Sequence, residues 1–331
     1  MGKRSQEQLY HQLEASSDQP AEAIRDLALE LLSVTLKRQY LDLALHKLGR
    51  VSETLELTHR PILRDKAAYY FENPGKDMGG NLREHLIRLL VPLCQPDDTP
   101  LLIAGMGVYE RQPVRDVAQN LRAISLAALA ELDLELAAAY AVRLLGEDDT
   151  SEFNGEPSIT AINVLLRANQ PLPIYGFLLL KGERFLEQGK GEVVARAFES
   201  LGGDFPPALY RAAAERFIGC DLPVVISGII DYIVQNRVSA FYPWLQTIIR
   251  ETRHPDLHRY GLIMMATARD EALRAALYAM AKVTPLKRIE DYIEAVELTS
   301  GGERDALLES LRRRSGRRRA ADEPPPPDLP T

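Results

Sequence analysis

The sequence has little cysteine, few aromatic side chains and no long apolar run. Its 331 residues include two cysteines, Cys94 and Cys220, too few for a disulfide framework or for a zinc site on their own. No stretch approaches the roughly 18 consecutive apolar residues of a membrane-spanning helix. The polar N-terminus also lacks the apolar core of a secretory signal. These absences favour a cytoplasmic protein with no transmembrane segment.

Positive charge is concentrated near the C-terminus. The whole chain has a net charge of −7, whereas residues 1–311 hold 34 basic and 44 acidic side chains, a net charge of −10. An acidic body disfavours a broad phosphate-binding surface. We therefore expect nucleic acid or an anionic surface to bind, if at all, at the short arginine run formed by Arg312, Arg313, Arg314, Arg317, Arg318 and Arg319.

Helical spacing of apolar residues extends over nearly all of the chain before residue 311, and strand-like alternation is almost absent. Between residues 20 and 48 two apolar stripes recur in steps of three and four, which predicts one helix buried on two sides, with Gly49 at its C-cap. Pro113 is expected to open a further helix over residues 113–131. The pattern predicts an all-α fold.

Comparable helices recur at a nearly regular period. Five apolar positions taken as equivalent are 42, 34, 31 and 33 residues apart, namely Val117, Ile159, Val193, Val224 and Leu257. Such a period is typical of antiparallel helix pairs that bury their apolar faces only by stacking. The sequence therefore predicts an α-solenoid.

One helix pair carries a family resemblance. Residues 113–132, with a Pro-x-Arg opening and a run of small and aliphatic residues, resemble the first helix of a HEAT repeat, and residues 134–146 resemble the second. The resemblance to this armadillo-type repeat family covers roughly residues 95–300 with degenerate repeats. It implies a concave surface that holds partner proteins, and it carries no catalytic residue across. We predict an N-terminal helical region over 1–95, a HEAT-like array over 96–311 and a disordered Arg/Pro-rich tail over 312–331.

Several short motifs suggest chemistry but are incomplete. Gly105 and Gly107 lack the third glycine of a dinucleotide-binding turn, and small residues at a close helix contact are the preferred interpretation. His254 and His258 lack a third metal ligand, and the acidic loop 147–156 lacks the leading Asp of an EF-hand. We therefore expect a protein that is not an enzyme, with no catalytic residue, metal or cofactor.

One segment combines aromatic and arginine side chains. Aromatic and arginine residues dominate the energetics of protein interfaces and also stack on nucleic-acid bases. Simple packing of Phe241 and Trp244 between helices is the alternative. The candidate partner-binding residues are Arg237, Phe241, Tyr242, Trp244 and Arg250.

Three functions remain open from the sequence. The first is a non-enzymatic scaffold or adaptor that binds a protein partner along the solenoid surface. The alternative is a nucleic-acid-associated HEAT-like protein anchored by its arginine-rich tail, where phosphorylation of Ser315 would modulate the charge. A HEAT-like lyase or chaperone acting on a bound pigment or protein is the third, with no cysteine or acid pair in its favour.

Overall fold

A computed structural model describes residues 4–112, 115–148 and 150–322, with only the backbone described at residues 111, 112, 115 and 317–322. The predicted all-α class is confirmed. Within these residues the only strands are β1 (Arg111–Gln112) and β2 (Arg115–Asp116), which pair antiparallel. No described helix is long and apolar enough to cross a membrane.

Eighteen α-helices make up most of the described chain. They are α1 (Gln6–Glu14), α2 (Ala21–Val34), α3 (Arg38–Arg50), α4 (Arg60–Glu72), α5 (Asn81–Leu90), α6 (Thr99–Met106), α7 (Gln119–Leu132), α8 (Leu134–Leu145), α9 (Ser158–Arg167), α10 (Pro171–Glu187), α11 (Gly191–Glu199), α12 (Pro207–Ile218), α13 (Pro223–Gln235), α14 (Tyr242–Glu251), α15 (Pro255–Thr267), α16 (Glu271–Val283), α17 (Ile289–Glu297) and α18 (Glu303–Asp322).

The chain divides into two compact units, Met1–Pro173 and Ile174–Thr331. In the first unit, α2 packs on α3, α4 on α5, α6 on α7 and α8 on α9. These pairs are joined because α2 contacts α4, α4 contacts α6, and α3, α5, α7 and α9 contact one another in succession. Helices thus pack within pairs and between successive pairs, as stacked helix pairs do.

The second unit shows a similar order of contacts. Helices α11, α13, α15 and α17 contact one another in succession, and so do α14, α16 and α18. Lateral contacts join α12 to α13, α14 to α15 and α16 to α17. Its core contains a run of aromatic rings in which Tyr210 stacks on Tyr232 with ring centroids 3.8 Å apart.

The single helix predicted over residues 20–48 is wrong, because the chain turns back at Thr35. Thr35 is extended and fully buried, and its hydroxyl accepts a hydrogen bond from the Lys37 backbone N–H at 3.1 Å. The two apolar stripes therefore belong to two helices, α2 and α3, that pack on each other. Gly49 lies inside α3 rather than at its C-cap.

The helix predicted to open at Pro113 begins only at Gln119. Asp116 explains the difference, because its carboxylate accepts hydrogen bonds from the N–H groups of Glu110 (2.9 Å) and Ala118 (3.1 Å). Those bonds close the β1–β2 hairpin and lead the chain into α7. Pro113 itself lies outside the described residues.

The segment predicted as a disordered tail begins inside the last helix, since α18 continues to Asp322. Leu307, Leu308 and Leu311 are buried on this helix, which packs on α16 and α17. Arg314 adds hydrogen bonds to the backbone carbonyls of Lys282 (3.2 Å) and Thr284 at the end of α16. Residues 323–331 of the predicted tail lie outside the described residues.

Candidate functional site: a recess at the start of helix α7

Two loops of the first unit enclose an open recess of about 500 Å³. One loop contains the β1–β2 hairpin and precedes α7, and the other connects α8 to α9. The recess is lined by Asp116, Val117, Gln119, Asn120, Thr150, Ser151, Glu152, Phe153 and Asn154. It lies within the size range of ligand and peptide pockets in proteins.

The base of the recess contains a buried ion pair between Asp116 and Arg122. Both side chains are fully buried, and a guanidinium nitrogen of Arg122 contacts the Asp116 carboxylate and donates to the Val108 carbonyl at 2.8 Å. The ring of Tyr109 covers the guanidinium, with 4.4 Å from Cζ to the ring centroid. Because the charges are paired and hydrogen-bonded inside the fold, they fix the hairpin against α7.

A second set of polar contacts joins the hairpin to the other loop. The Tyr109 hydroxyl donates to Glu147, and Arg143 lies 3.6 Å from the same carboxylate while donating to the Met106 carbonyl at 2.7 Å. Burial raises the pKa of Tyr109 to about 12, and the hydrogen bond to Glu147 adds to this rise. Tyr109 therefore stays protonated and donates throughout the physiological pH range.

The far side of the hairpin is held by Asp77, Arg83 and Glu110. The buried Asp77 carboxylate accepts from the Leu82 N–H at 2.9 Å and from the Arg83 Nε–H at 3.1 Å. Arg83 also donates to Glu110, whose other oxygen accepts from the Gly79 N–H. Loop residues 107–112 are thus bound to α5 as well as to α7.

The rim of the recess presents an exposed aromatic side chain. Phe153 is 81% exposed, while its loop is anchored by a 2.5 Å hydrogen bond between the hydroxyls of Thr150 and Ser158. A second anchor is the 2.9 Å bond from the Asn154 amide to Asn120 on α7. The neighbouring Glu152 is exposed as well. An aromatic ring held in water by an anchored, acidic loop suits binding of another molecule.

Ion pairs engage Asp116 in the recess and two acidic side chains of the adjoining loops. Asp116 is paired with Arg122, Glu110 with Arg83, and Glu147 with Arg143. A carboxylate held in such a pair is a poor proton donor or acceptor for a substrate.

The aromatic and arginine residues predicted as a partner-binding site are divided between core and surface. Phe241 and Tyr242 are buried, Phe241 packs 5.6 Å from Trp244, and the Tyr242 hydroxyl donates to Asp270 at 2.9 Å. These two positions are therefore corrected to packing residues, because their rings fill the space between helices. Arg237 and Arg250 are exposed and Trp244 is half-buried.

A small cationic and aromatic surface remains at Trp244. Arg211 of α12, which the sequence did not suggest, lies over the indole ring at 5.2 Å, and Leu209 on the same helix is exposed. Spacing along one segment could not reveal this pairing, since α12 and α14 are separated by a whole helix. Trp244 belongs to the second unit, as do Arg237 and Arg250.

The six arginines predicted to bind polyanions have different surroundings. Arg312 forms a surface ion pair with Glu297 at 2.6 Å, and Arg314 binds carbonyls at the end of α16. Arg313 is exposed. The side chains of Arg317, Arg318 and Arg319 lie outside the described part of the structure. Ser315 is buried and donates to Glu290.

The two neighbouring histidines point to different partners. His254 contacts Asp221, whereas the buried His258 places Nδ1 2.8 Å from the Ile249 carbonyl. Burial lowers the pKa of His258, and the adjacent Arg288 lowers it further, while the Ile249 carbonyl and Asp291 act in the opposite direction. Across the described residues no group of three or more His, Cys, Asp or Glu side chains is arranged to hold a metal ion.

Comparisons with protein-family models and with curated proteins identify no relative. No protein-family model matches the sequence, and the curated proteins give no significant match.

The recess was not predicted from the sequence. Its signals were the unusually long acidic loop 147–156 and Asp116, which interrupts an otherwise helical stretch.

Proposed function

We propose that this protein is a non-enzymatic, HEAT-like scaffold that binds a partner protein through the recess at the start of α7. The succession of helix contacts within each unit supports a solenoid-type arrangement, in which loops and helix faces serve as binding surfaces. The observation that carries the proposal is Phe153, an aromatic ring exposed to water on a loop that two hydrogen bonds anchor.

Charge defines the partner that this surface favours. Glu152 next to Phe153 is acidic and exposed, and the chain has a net charge of −7. A basic segment of a partner protein with an apolar side chain would satisfy both features, with the apolar group against Phe153 and the cation beside Glu152. Such complementarity raises the association rate and excludes acidic competitors.

Replacing Phe153 tests this proposal. A photo-crosslinking amino acid at Ser151, beside Phe153, should trap a discrete partner from native lysate, and nuclease treatment should not remove it. Phe153→Ser should abolish the crosslink, because the exposed ring is the apolar anchor, whereas Leu180→Ser removes an equally exposed apolar side chain on α10 and should leave it intact. An undiminished crosslink in Phe153→Ser would refute this use of the recess.

Binding of nucleic acid through the arginine run has less support. Arg312 and Arg314 are engaged within the second unit, which leaves fewer cations free for phosphates. The nuclease arm of the same experiment distinguishes the two functions, since material bound through nucleic acid would disappear on treatment.

A further inference from the structure

A second groove of about 480 Å³ lies in the first unit, between the turn that follows α2 and the first turns of α4. The surface of the groove is largely apolar, and two of its apolar side chains are open to water. Val34 is 48% exposed and Leu36 is 55% exposed. The groove is lined by Ser33, Val34, Thr35, Leu36, Pro61, Ile62, Asp65, Lys66 and Tyr69.

Lys66 is a half-buried cation in this groove, and no acidic side chain in the described part of the chain forms an ion pair with it. Its ammonium group donates one hydrogen bond, to the Thr35 carbonyl at 3.0 Å. Asp65 also lines the groove, but its carboxylate makes no ion pair with Lys66 among the described residues. Burial lowers the pKa of Lys66, and no neighbouring acid compensates for the lost hydration. Two of its three N–H donors therefore remain for another acceptor.

An apolar carboxylate matches these surroundings. A carboxylate accepts charge-assisted hydrogen bonds from an ammonium group and replaces the hydration that burial has removed. An apolar tail behind it would cover Val34, Leu36 and Ile62, which are only partly shielded from water. We infer that the groove binds a small carboxylic acid with an apolar chain, whose carboxylate contacts Lys66. This site is separate from the recess at α7 and does not depend on the function proposed for it.

Titration calorimetry of the full-length protein with octanoate tests the inference. Octanoate should bind, octanamide should bind at least tenfold more weakly, and affinity should rise by roughly fourfold per added methylene from butanoate to octanoate. Equal affinity for octanoate and octanamide, or no heat with octanoate at millimolar concentration, would overturn the site.

Variants of Lys66 separate the charge from the fold. Lys66→Met should weaken octanoate binding by about ten- to a hundredfold, because the charged hydrogen bonds are lost, whereas Lys66→Arg should retain binding. Lys282→Met, which removes an exposed lysine on α16, should bind octanoate like the unmodified protein. Circular dichroism verifies that each variant is folded. Unchanged affinity in a folded Lys66→Met protein, or lost affinity in a folded Lys66→Arg protein, would contradict the inference.

Titration with a peptide tests whether the groove binds a small acid or the C-terminus of a protein. A short peptide with an apolar C-terminal residue and a free α-carboxylate is titrated beside its amidated form. Weaker binding than octanoate supports the small acid. Tighter binding that Lys66→Met abolishes would assign the groove to a protein terminus and overturn the small-acid assignment.

Discussion

The buried pair of Asp116 and Arg122 sets a residue-scale prediction about stability. Arg122→Met keeps the volume of the side chain but leaves the Asp116 carboxylate buried without its cation, so the free energy of unfolding should fall by about 3–5 kcal/mol. Arg167→Met breaks an exposed ion pair with Glu131 and should lower the free energy of unfolding by about 1 kcal/mol or less. Urea denaturation measures both, and equal losses would show that the buried pair contributes no more than a surface one.

His258 predicts a pH dependence. Its pKa is lowered in the folded protein, chiefly by burial, so below its ordinary pKa of about 6.5 the unfolded chain binds a proton more readily than the folded one. Stability linked to this residue is therefore present above pH 6.5 and is lost as the pH falls. The stability advantage of the unmodified protein over His258→Gln should shrink between pH 8 and 5.5. A constant difference between the two proteins over this pH range would contradict the assignment.

For single residues, the sequence showed which side chains could bind or pack, but not which of these two roles each one has. Phe241 and Trp244 were predictable as either packing or binding residues, and only burial distinguishes them, with Phe241 inside and Trp244 half-exposed. The partners of Arg314 and Arg211 lie on other helices. No local spacing specifies such contacts, because they depend on how helices distant in sequence come together.

Helices α13 and α11 pack closely on each other, and this contact between two elements gives a testable prediction. A Cβ atom on Gly228 would lie 2.6 Å from the Ala195 carbonyl oxygen, a backbone atom that cannot move aside. Gly228→Ala should therefore destabilise the protein by about 1–3 kcal/mol. Gly176 in α10 has no atom within 4 Å of such a Cβ, and Gly176→Ala should stabilise the protein by about 0.5–1 kcal/mol. Thermal unfolding monitored by circular dichroism compares them, and a loss in both variants would show that helix contact is not the cause.

Helix content was predictable from apolar spacing, but two boundaries were not. Spacing cannot distinguish one long helix from two helices that pack on each other, since both place apolar residues three and four apart. The turn at Thr35 depends on a buried hydroxyl and on a carbonyl that accepts from Lys66. The hairpin before α7 likewise depends on Asp116, whose pairing with Arg122 only the folded chain reveals.

For the whole molecule, the division at Pro173 predicts two unfolding transitions. Each unit has its own core, so each should unfold as a cooperative body. In differential scanning calorimetry Arg122→Met should lower one transition temperature and Gly228→Ala the other. If either variant shifts a single common transition, the two units unfold together.

The all-α class was the part of the whole-molecule organisation most accessible from sequence. The predicted ranges 1–95 and 96–311 followed the family resemblance, whereas the two units follow contacts among helices distant in the sequence. The recess arises where the loop before α7 meets the loop after α8. This arrangement depends on how the helices pack together, and the sequence of neither loop predicts it alone.

Helix α18 has a consequence for growth by self-assembly. Its leucines cover apolar surface of α16 and α17, and its exposed side includes Arg312 and Arg313. A stack of helices that ended on an apolar face would offer a template to which the next copy could add, and repeated addition would produce an open filament. Here the leucines are turned inward, and the exposed side carries the guanidinium groups of Arg312, which pairs with Glu297, and of Arg313. By covering apolar surface of α16 and α17, helix α18 removes one template for such addition.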